Sequence, residues 1–496
     1  MSASRILSEL ERDMAPEVAA AFTALAVDHF ARTRAGDGPV STSLSSAALA
    51  ERFAGPLPAQ GRPVEEVVAR LARDVLSDVN RLHHPMYMGH QVSAPLPAAV
   101  WTEAVTAALN QSMAVAEMSP TVTAVERRVV RWMAELVGWG DRSGGTLTSG
   151  GTEATLAALL AARAAVLPDA WEEGVAGSRA PAVLCGEHAH YAVARAVGEM
   201  GLGTRRLHLV PSRDWRMDVA LLVAKLDALA AEGTPVMAVV ATAGSTATGS
   251  FDDIEIIGRI CEERGLWLHV DGAHGASALL SDEHRGRLRG LARARSIAWD
   301  PHKMMLLPLS AGVVLVREER ELERAFAQKA PYLFHGDAEE ERVVDQGVRS
   351  FQCSRRADAL KVWVALHRYG ARGIGALYDH LCATARALHE EVVERGDFEA
   401  LHAPESNILC FRWVGDRSLG DAALDALNRE LRERYNRSGA GWITATSLGG
   451  RRVLRVTVMN PRTTRDHVRA LLDGLAAEAR ALEGEGTVSA AGAPRA

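Results

Sequence analysis

Cysteine is scarce in this chain: Cys185, Cys261, Cys353, Cys382 and Cys410 are scattered over 496 residues, with no CxxC pair. That excludes a disulfide scaffold and a cysteine zinc site, and it suits a reducing cytoplasm. No apolar run approaches a membrane span, and the opening MSASRILSELERDMAPEVAAAF is charged and amphipathic rather than a signal peptide. A basic stripe is missing too. With 56 Lys and Arg against 62 Asp and Glu, the formal net charge of -6 argues against nucleic acid as the main partner. There is no internal repeat and no low-complexity array. What remains is the composition of a globular cytoplasmic protein, too long for one ordinary core.

Residues 1–85 read as an N-terminal helical segment, as in EEVVARLARDVLSDV, where apolar positions recur at helical spacing. The loop LHHPMYMGHQVSAPLP follows, then two helical patterns, TEAVTAALNQSMAV and TVTAVERRVVRWMAELVGW. Next come short apolar runs (PAVLCG, RRLHLVP, VMAVVATAG, LWLHVDGA, SIAW) separated by longer helical ones such as AARAAVLPDAWEE and FDDIEIIGRICEERG. Strand and helix in alternation imply an α/β unit, residues 86–370, with a mainly parallel sheet covered on both faces. Ligands of such sheets sit at the carboxyl ends of the strands. The long pattern SRRADALKVWVALHRYG closes this region. Residues 371–482, with strands in SNILCFRWV and RRVLRVTVMN, read as a small C-terminal α+β domain, and 483–496 as a disordered tail.

Within SIAWDPHKMMLLPLSAG, Lys303 stands between the turn Asp300-Pro301-His302 and the run Met304 to Leu307. Burying an ammonium is costly, and a lysine in apolar surroundings becomes a usable nucleophile. Four further elements fall where strands should end. Ser149, Gly150, Gly151 and Thr152 lead into a helix, whose free N–H groups suit a phosphate; Ser and Thr also cap ordinary helices. Asp271 follows an apolar strand, placed to hold a cationic ring nitrogen or to cap the next helix, and small Ala273 leaves room for a flat ring. His188 and His190 form an HxH pair that reads as a metal pair, as a ring-stacking imidazole or as plain loop histidines. Thr242, Ser245 and Thr246 crowd a strand end before Asp252, as ligand hydroxyls or as turn formers. Jointly, in this order on one sheet edge, they fit pyridoxal 5'-phosphate (PLP), which needs a Schiff-base lysine, an acid at its ring nitrogen, a phosphate cradle and a group packed on the ring.

From HPMYMGH to MNPRTT the chain resembles the group II PLP-dependent amino-acid decarboxylases, which include glutamate, cysteine-sulfinate and aromatic amino-acid enzymes. WDPHKM resembles the family's lysine motif and HVDGAHGA its acid-bearing strand. The resemblance implies that Lys303 is the Schiff-base lysine, Asp271 the partner of the pyridine nitrogen, Ala273 a floor under the ring and His190 the residue stacked above it. It also implies Gly151, Thr152, His302 and Asp300 near the phosphate, and Thr246 near ring or substrate. In APYLFHGD, Tyr332 matches the loop tyrosine that returns a proton to the carbanion, without which side reactions such as deamination open. Arg455 stands where the family holds a substrate carboxylate, with Tyr87 and His90 in the early loop as further substrate contacts. A fold-type I homodimer with its sites at the subunit interface and a seven-stranded sheet follow from the same likeness, while the charge, hydropathy and cysteine spacing above point to no nucleic-acid partner, no membrane and no metal. Two departures stand out: VDGAHGA, with Gly272 and His274, replaces VDAAYGG or VDAAWGG, and MGH replaces the FNQ of relatives acting on acidic substrates.

The early loop lacks the paired aromatics of enzymes for a dopa-like ring, and WDPHKMMLLPL resembles the glutamate and cysteine-sulfinate branch. The expected substrate is a small acidic or polar amino acid: aspartate, glutamate or cysteine sulfinate. Alternatives are 2,4-diaminobutyrate or an aliphatic or aromatic amino acid, a transaminase or other α-carbon enzyme on the same scaffold, and an inactive relative that binds a partner.

Overall fold

The structure, a computed structural model, describes residues 3–177, 180–326, 345–415 and 419–485. The chain divides into two compact units: Gln91–Arg386 with His402–Leu409, and Met1–His90 with Ala387–Leu401 and Cys410–Ala496.

In the first unit seven strands make one sheet: β1 Gly144–Thr148, β2 Ala182–Gly186, β3 Leu207–Val210, β4 Val236–Thr242, β5 Trp267–Asp271, β6 Ser296–Trp299 and β7 Gly312–Val316. Their spatial order is β1-β7-β6-β5-β4-β2-β3. The neighbours from β6 to β3 run parallel, while β7 is antiparallel to both β1 and β6. The expected seven-stranded, mainly parallel sheet with helices on both faces is present. Because both faces are covered, its strands read as continuous apolar runs; VMAVVAT of β4 is buried at all but its first residue. The helix Gly151–Val166 brings an alanine face (Ala154, Ala157, Ala158, Ala161, Ala162) into one core with Val183, Val240, Ala298 and Val314. Small side chains there let the helix lie close on the sheet.

Two strands escaped the reading of apolar runs. β1 is GGTLT, in which a Cβ on Gly145 would stand 2.1 Å from the carbonyl oxygen of Val314, so only glycine lets β7 pair there. β7, GVVLV, follows the lysine turn so closely that it merges with it in sequence. Two helical readings are corrected as well. The pattern TEAVTAALNQSMAV is helical only to Leu109, where Asn110 takes a left-handed conformation (φ 45°) and ends it. AARAAVLPDAWEE breaks into Gly151–Val166 and Ala170–Glu173 around Pro168.

The other unit holds a sheet in the order Tyr87–Met88, Trp442–Leu448, Arg451–Thr457, Ile408–Trp413, Phe398–Ala400. Helices Asp421–Ser438 and Arg465–Gly484 pack with each other, the former also on the strand Arg451–Thr457. Tyr87, read as loop, joins this sheet as a short parallel edge.

Candidate active site

β6 ends at Trp299, and the chain then turns through Asp300-Pro301-His302-Lys303. Asp300 N donates to Ala273 O at 3.1 Å and Lys303 N to Asp300 O at 2.9 Å, which fixes the turn against β5's end. Met304, Met305, Leu306 and Leu307 are at most 2% exposed and serve as its core anchor, with Leu306 held at φ 58°, uncommon for a leucine. The expectation of a lysine in apolar surroundings is corrected here. Lys303 keeps 21% exposure, and its Nζ lies 3.0 Å from the buried Oδ2 of Asp300. The ammonium is paired. His302 Nδ1 accepts from Ala311 N at 3.1 Å, so its proton sits on Nε2, 3.5 Å from the same Asp300 oxygen. Burial holds His302 below the ordinary histidine range, against the upward pull of Asp300.

A cavity of about 290 Å³ opens beside Lys303, at the carboxyl ends of β1, β2, β4, β5 and β6. Gly151, Thr152, His190, Thr246, Asp271, Ala273, Asp300, His302 and Lys303 all line it. Asp271 closes β5 and is 8% exposed; its Oδ1 accepts from Ala273 N at 3.2 Å. Gly151 lies where a Cβ would come within 2.7 Å of Ala273 Cβ and 3.1 Å of Asp300 Oδ2, and a Cβ on Gly150 would stand 3.3 Å from His302 Cε1. The glycines therefore bring a helix start, with its unpaired N–H groups, against the lysine turn. His190 Nδ1 accepts from Ala192 N at 3.2 Å, leaving the proton on Nε2. Burial lowers its pKa more than the nearby Asp271 raises it, so it is a neutral ring at neutral pH.

The HxH pair parts company: His188 packs at 5.6 Å from Trp215 and lines a separate crevice. Ser245 proves a turn former, bonded to Thr248 at 2.8 Å and Ser250 at 3.0 Å. Asp252 accepts from Met217 N and Thr242 N, each at 2.7 Å, and so braces β4's end. His274 lines the cavity with its Nε2 2.7 Å from Asn407 Oδ1. Gly244 and Leu309, also in the lining, were not singled out from sequence. Gly244 follows a strand at φ 82°, a signal that was available; Leu309 carries none.

Tyr87, His90 and Arg455 belong to the other unit. There Tyr87 stacks on Trp442 (centroids 5.2 Å apart, planes at 6°), His90 lies 5.2 Å from the same ring, and Arg432 sits over it at 5.6 Å. Arg455 is 5% exposed, its Nη1 3.4 Å from Thr444 Oγ1. Burial, then Arg455 and Arg432, push the His90 pKa down. Trp442, at the centre of the group, has no sequence signal beyond being a tryptophan at a strand start. Tyr332 lies outside the described residues.

The cavity fits PLP. It presents an amine, a carboxylate at a strand end, a helix start suited to a phosphate, a small floor residue and a neutral imidazole. Two of its lining residues also hold buried polar atoms, Asp300 Oδ1 and Thr242 Oγ1, with no hydrogen-bond partner among the described residues. Residues 49–414 match the pyridoxal-dependent decarboxylase conserved domain. L-2,4-diaminobutyrate decarboxylase of Rhizobium meliloti (strain 1021) is 34% identical over 432 residues, 86% of this chain and 84% of that protein. Cysteine sulfinic acid decarboxylase of Mus musculus is 32% identical over 415 residues, 82% of this chain and 84% of that protein. The structure also superposes, with a TM-score of 0.83 and 27% identity, on the glutamate decarboxylase domain of diaminobutyrate-pyruvate transaminase and L-2,4-diaminobutyrate decarboxylase from Vibrio parahaemolyticus, covering 94% of this chain and 95% of that one. With the family's domain spanning most of its length, the chain belongs to the pyridoxal-dependent decarboxylases and is a PLP-dependent amino-acid decarboxylase.

Proposed function

We propose that the protein removes the α-carboxylate of a short L-amino acid with an acidic side chain (aspartate, glutamate or cysteine sulfinate), releasing the amine and carbon dioxide, as a cytoplasmic homodimer. The observation that favours an acidic substrate is the group around Trp442, where Arg432 sits over the ring at 5.6 Å and, after burial itself, the charges of Arg455 and Arg432 add to the lowering of the His90 pKa. A field of that sign attracts a second carboxylate and repels a second ammonium.

When bound, PLP supplies an electron sink for the bond that loses carbon dioxide. Lys303 would offer its Nζ to the cofactor's aldehyde carbon, and Asp300, 3.0 Å away, holds that nitrogen in place. Asp271 would keep a proton on the ring nitrogen. Ala273 and His190, both in the cavity lining, would confine the ring between them, His190 uncharged because it is buried. The N–H groups of Gly150 to Thr152 would bind the phosphate at the helix start, with His302 beside them and Thr246 nearer ring or substrate. Arg455 would take a substrate carboxylate, with Tyr87 and His90 shaping the side-chain pocket, and Tyr332 would return the proton to the α-carbon.

A second reading is favoured by the 34% identity to an L-2,4-diaminobutyrate decarboxylase, namely that the substrate carries an amine rather than an acid. One assay separates them. PLP-loaded protein is incubated with aspartate, glutamate, cysteine sulfinate, 2,4-diaminobutyrate, leucine and tyrosine, and amine and carbon dioxide are detected. Amine from an acidic substrate is expected. Turnover of 2,4-diaminobutyrate alone, or of tyrosine alone, would refute the acidic assignment.

A further inference from the structure

A buried carboxylate stands against the cavity with no role yet given to it. Glu153, near the start of the helix Gly151–Val166, is 8% exposed. Its Oε2 accepts from Ser149 N at 2.9 Å, Ser149 Oγ at 2.6 Å and Gln352 Nε2 at 2.8 Å. Its Oε1 is buried with no hydrogen-bond partner among the described residues, so those donors carry the compensation for the charge. Ser149 is thereby spent on the protein. Its amide and hydroxyl are turned to Glu153, which leaves Gly150, Gly151 and Thr152 as the donors at the helix start. A carboxylate beside an anion site is unfavourable unless held and screened. Gln352 does the holding from a firmly seated segment. Gly347 N donates to Ala114 O at 2.8 Å, and Arg355 Nη1 donates to the buried Glu126 Oε2 at 2.8 Å.

We propose that Glu153 and Gln352 are positioning residues for the phosphate loop: Gln352 fixes Glu153, Glu153 fixes Ser149, and the chain sets where the loop's remaining N–H groups point. This rests on the phosphate assignment of Gly150 to Thr152 made above. The two ideas fail differently.

The test is titration of the full-length protein, stripped of cofactor, with PLP and separately with pyridoxal, which lacks the phosphate. Gln352→Glu sets a like charge against Glu153 and is expected to weaken PLP binding about tenfold or more while changing pyridoxal binding less than about twofold. The exchange Gln352→Glu with Glu153→Gln rebuilds an amide–carboxylate pair with the roles reversed, and is expected to return PLP affinity to within about threefold of the native value. Gln352→Ala, at a half-buried site and without added charge, guards against misfolding and should weaken PLP in the same direction. Unchanged PLP affinity in Gln352→Glu or Gln352→Ala, or no recovery in a folded exchange variant, overturns the proposal. A native protein that binds pyridoxal as tightly as PLP overturns the phosphate assignment beneath it.

Discussion

Gly151→Ala is a sharp probe of how the cavity is built. The backbone there is not left-handed, so alanine meets no conformational penalty, and a helical position even favours it. The effect is therefore steric. The new Cβ would sit 2.7 Å from Ala273 Cβ and 3.1 Å from Asp300 Oδ2. Carbon atoms prefer roughly 3.5–4.0 Å, so the helix start must withdraw by about 1 Å. Overpacking of this kind costs about 1–3 kcal/mol, and a displacement that size at an anion site lowers PLP affinity about tenfold. Removing the nearest contact with Ala273→Gly leaves only the 3.1 Å approach to Asp300, and should recover most of the lost stability of the cofactor-free protein. Absorbance titration with PLP and thermal melts of both variants measure this. A Gly151→Ala protein with native affinity and native melting would refute the packing argument, and a loss that Ala273→Gly leaves untouched would place the cause elsewhere.

Other perturbations reach further parts of the molecule. Arg355→Met strands Glu126, fully buried and bonded by Arg355 Nη1 at 2.8 Å, so urea unfolding should show a loss of about 3–5 kcal/mol; a loss under about 1 kcal/mol would contradict the pairing. His269 is wholly buried, and burial pushes its pKa down to about 4 from 6.5. Below pH 6.5 the unfolded chain therefore takes a proton that the folded one refuses, so stability falls as pH drops from 6.5 toward 4, by about 2 kcal/mol at pH 5. In His269→Gln the decline between pH 7 and pH 5 should be shallower by that amount, and identical urea profiles for both proteins would disprove it. Tyr332→Phe should keep PLP binding while diverting product toward carbonyl compounds; an unchanged product ratio would remove Tyr332 from the proton-return role.

The parts of the site legible in sequence share one property. Asp271, His190 and Thr246 each follow a short apolar run that stops at Gly, Ser or Asp, and parallel sheets put such stops on one edge. What was hidden depends on contacts between distant residues. β1 is masked by its glycines, whose reason is the backbone of Val314 crossing close by. Trp442 gathers Tyr87, His90 and Arg432 through sheet pairing that leaves no local period. Gln352 reaches Glu153 across 199 positions. Lys303 shows the opposite case: its partner Asp300 was three residues away in plain view, but the apolar run after it drew the reading toward a lysine in apolar surroundings.

The most direct test is to trap the cofactor on the protein with borohydride, digest it and locate the pyridoxyl group by mass. The group is expected on the peptide containing Lys303, with none retained in Lys303→Ala. A pyridoxyl group on another lysine, or full retention in Lys303→Ala, would mean that this cavity is not where the chemistry occurs.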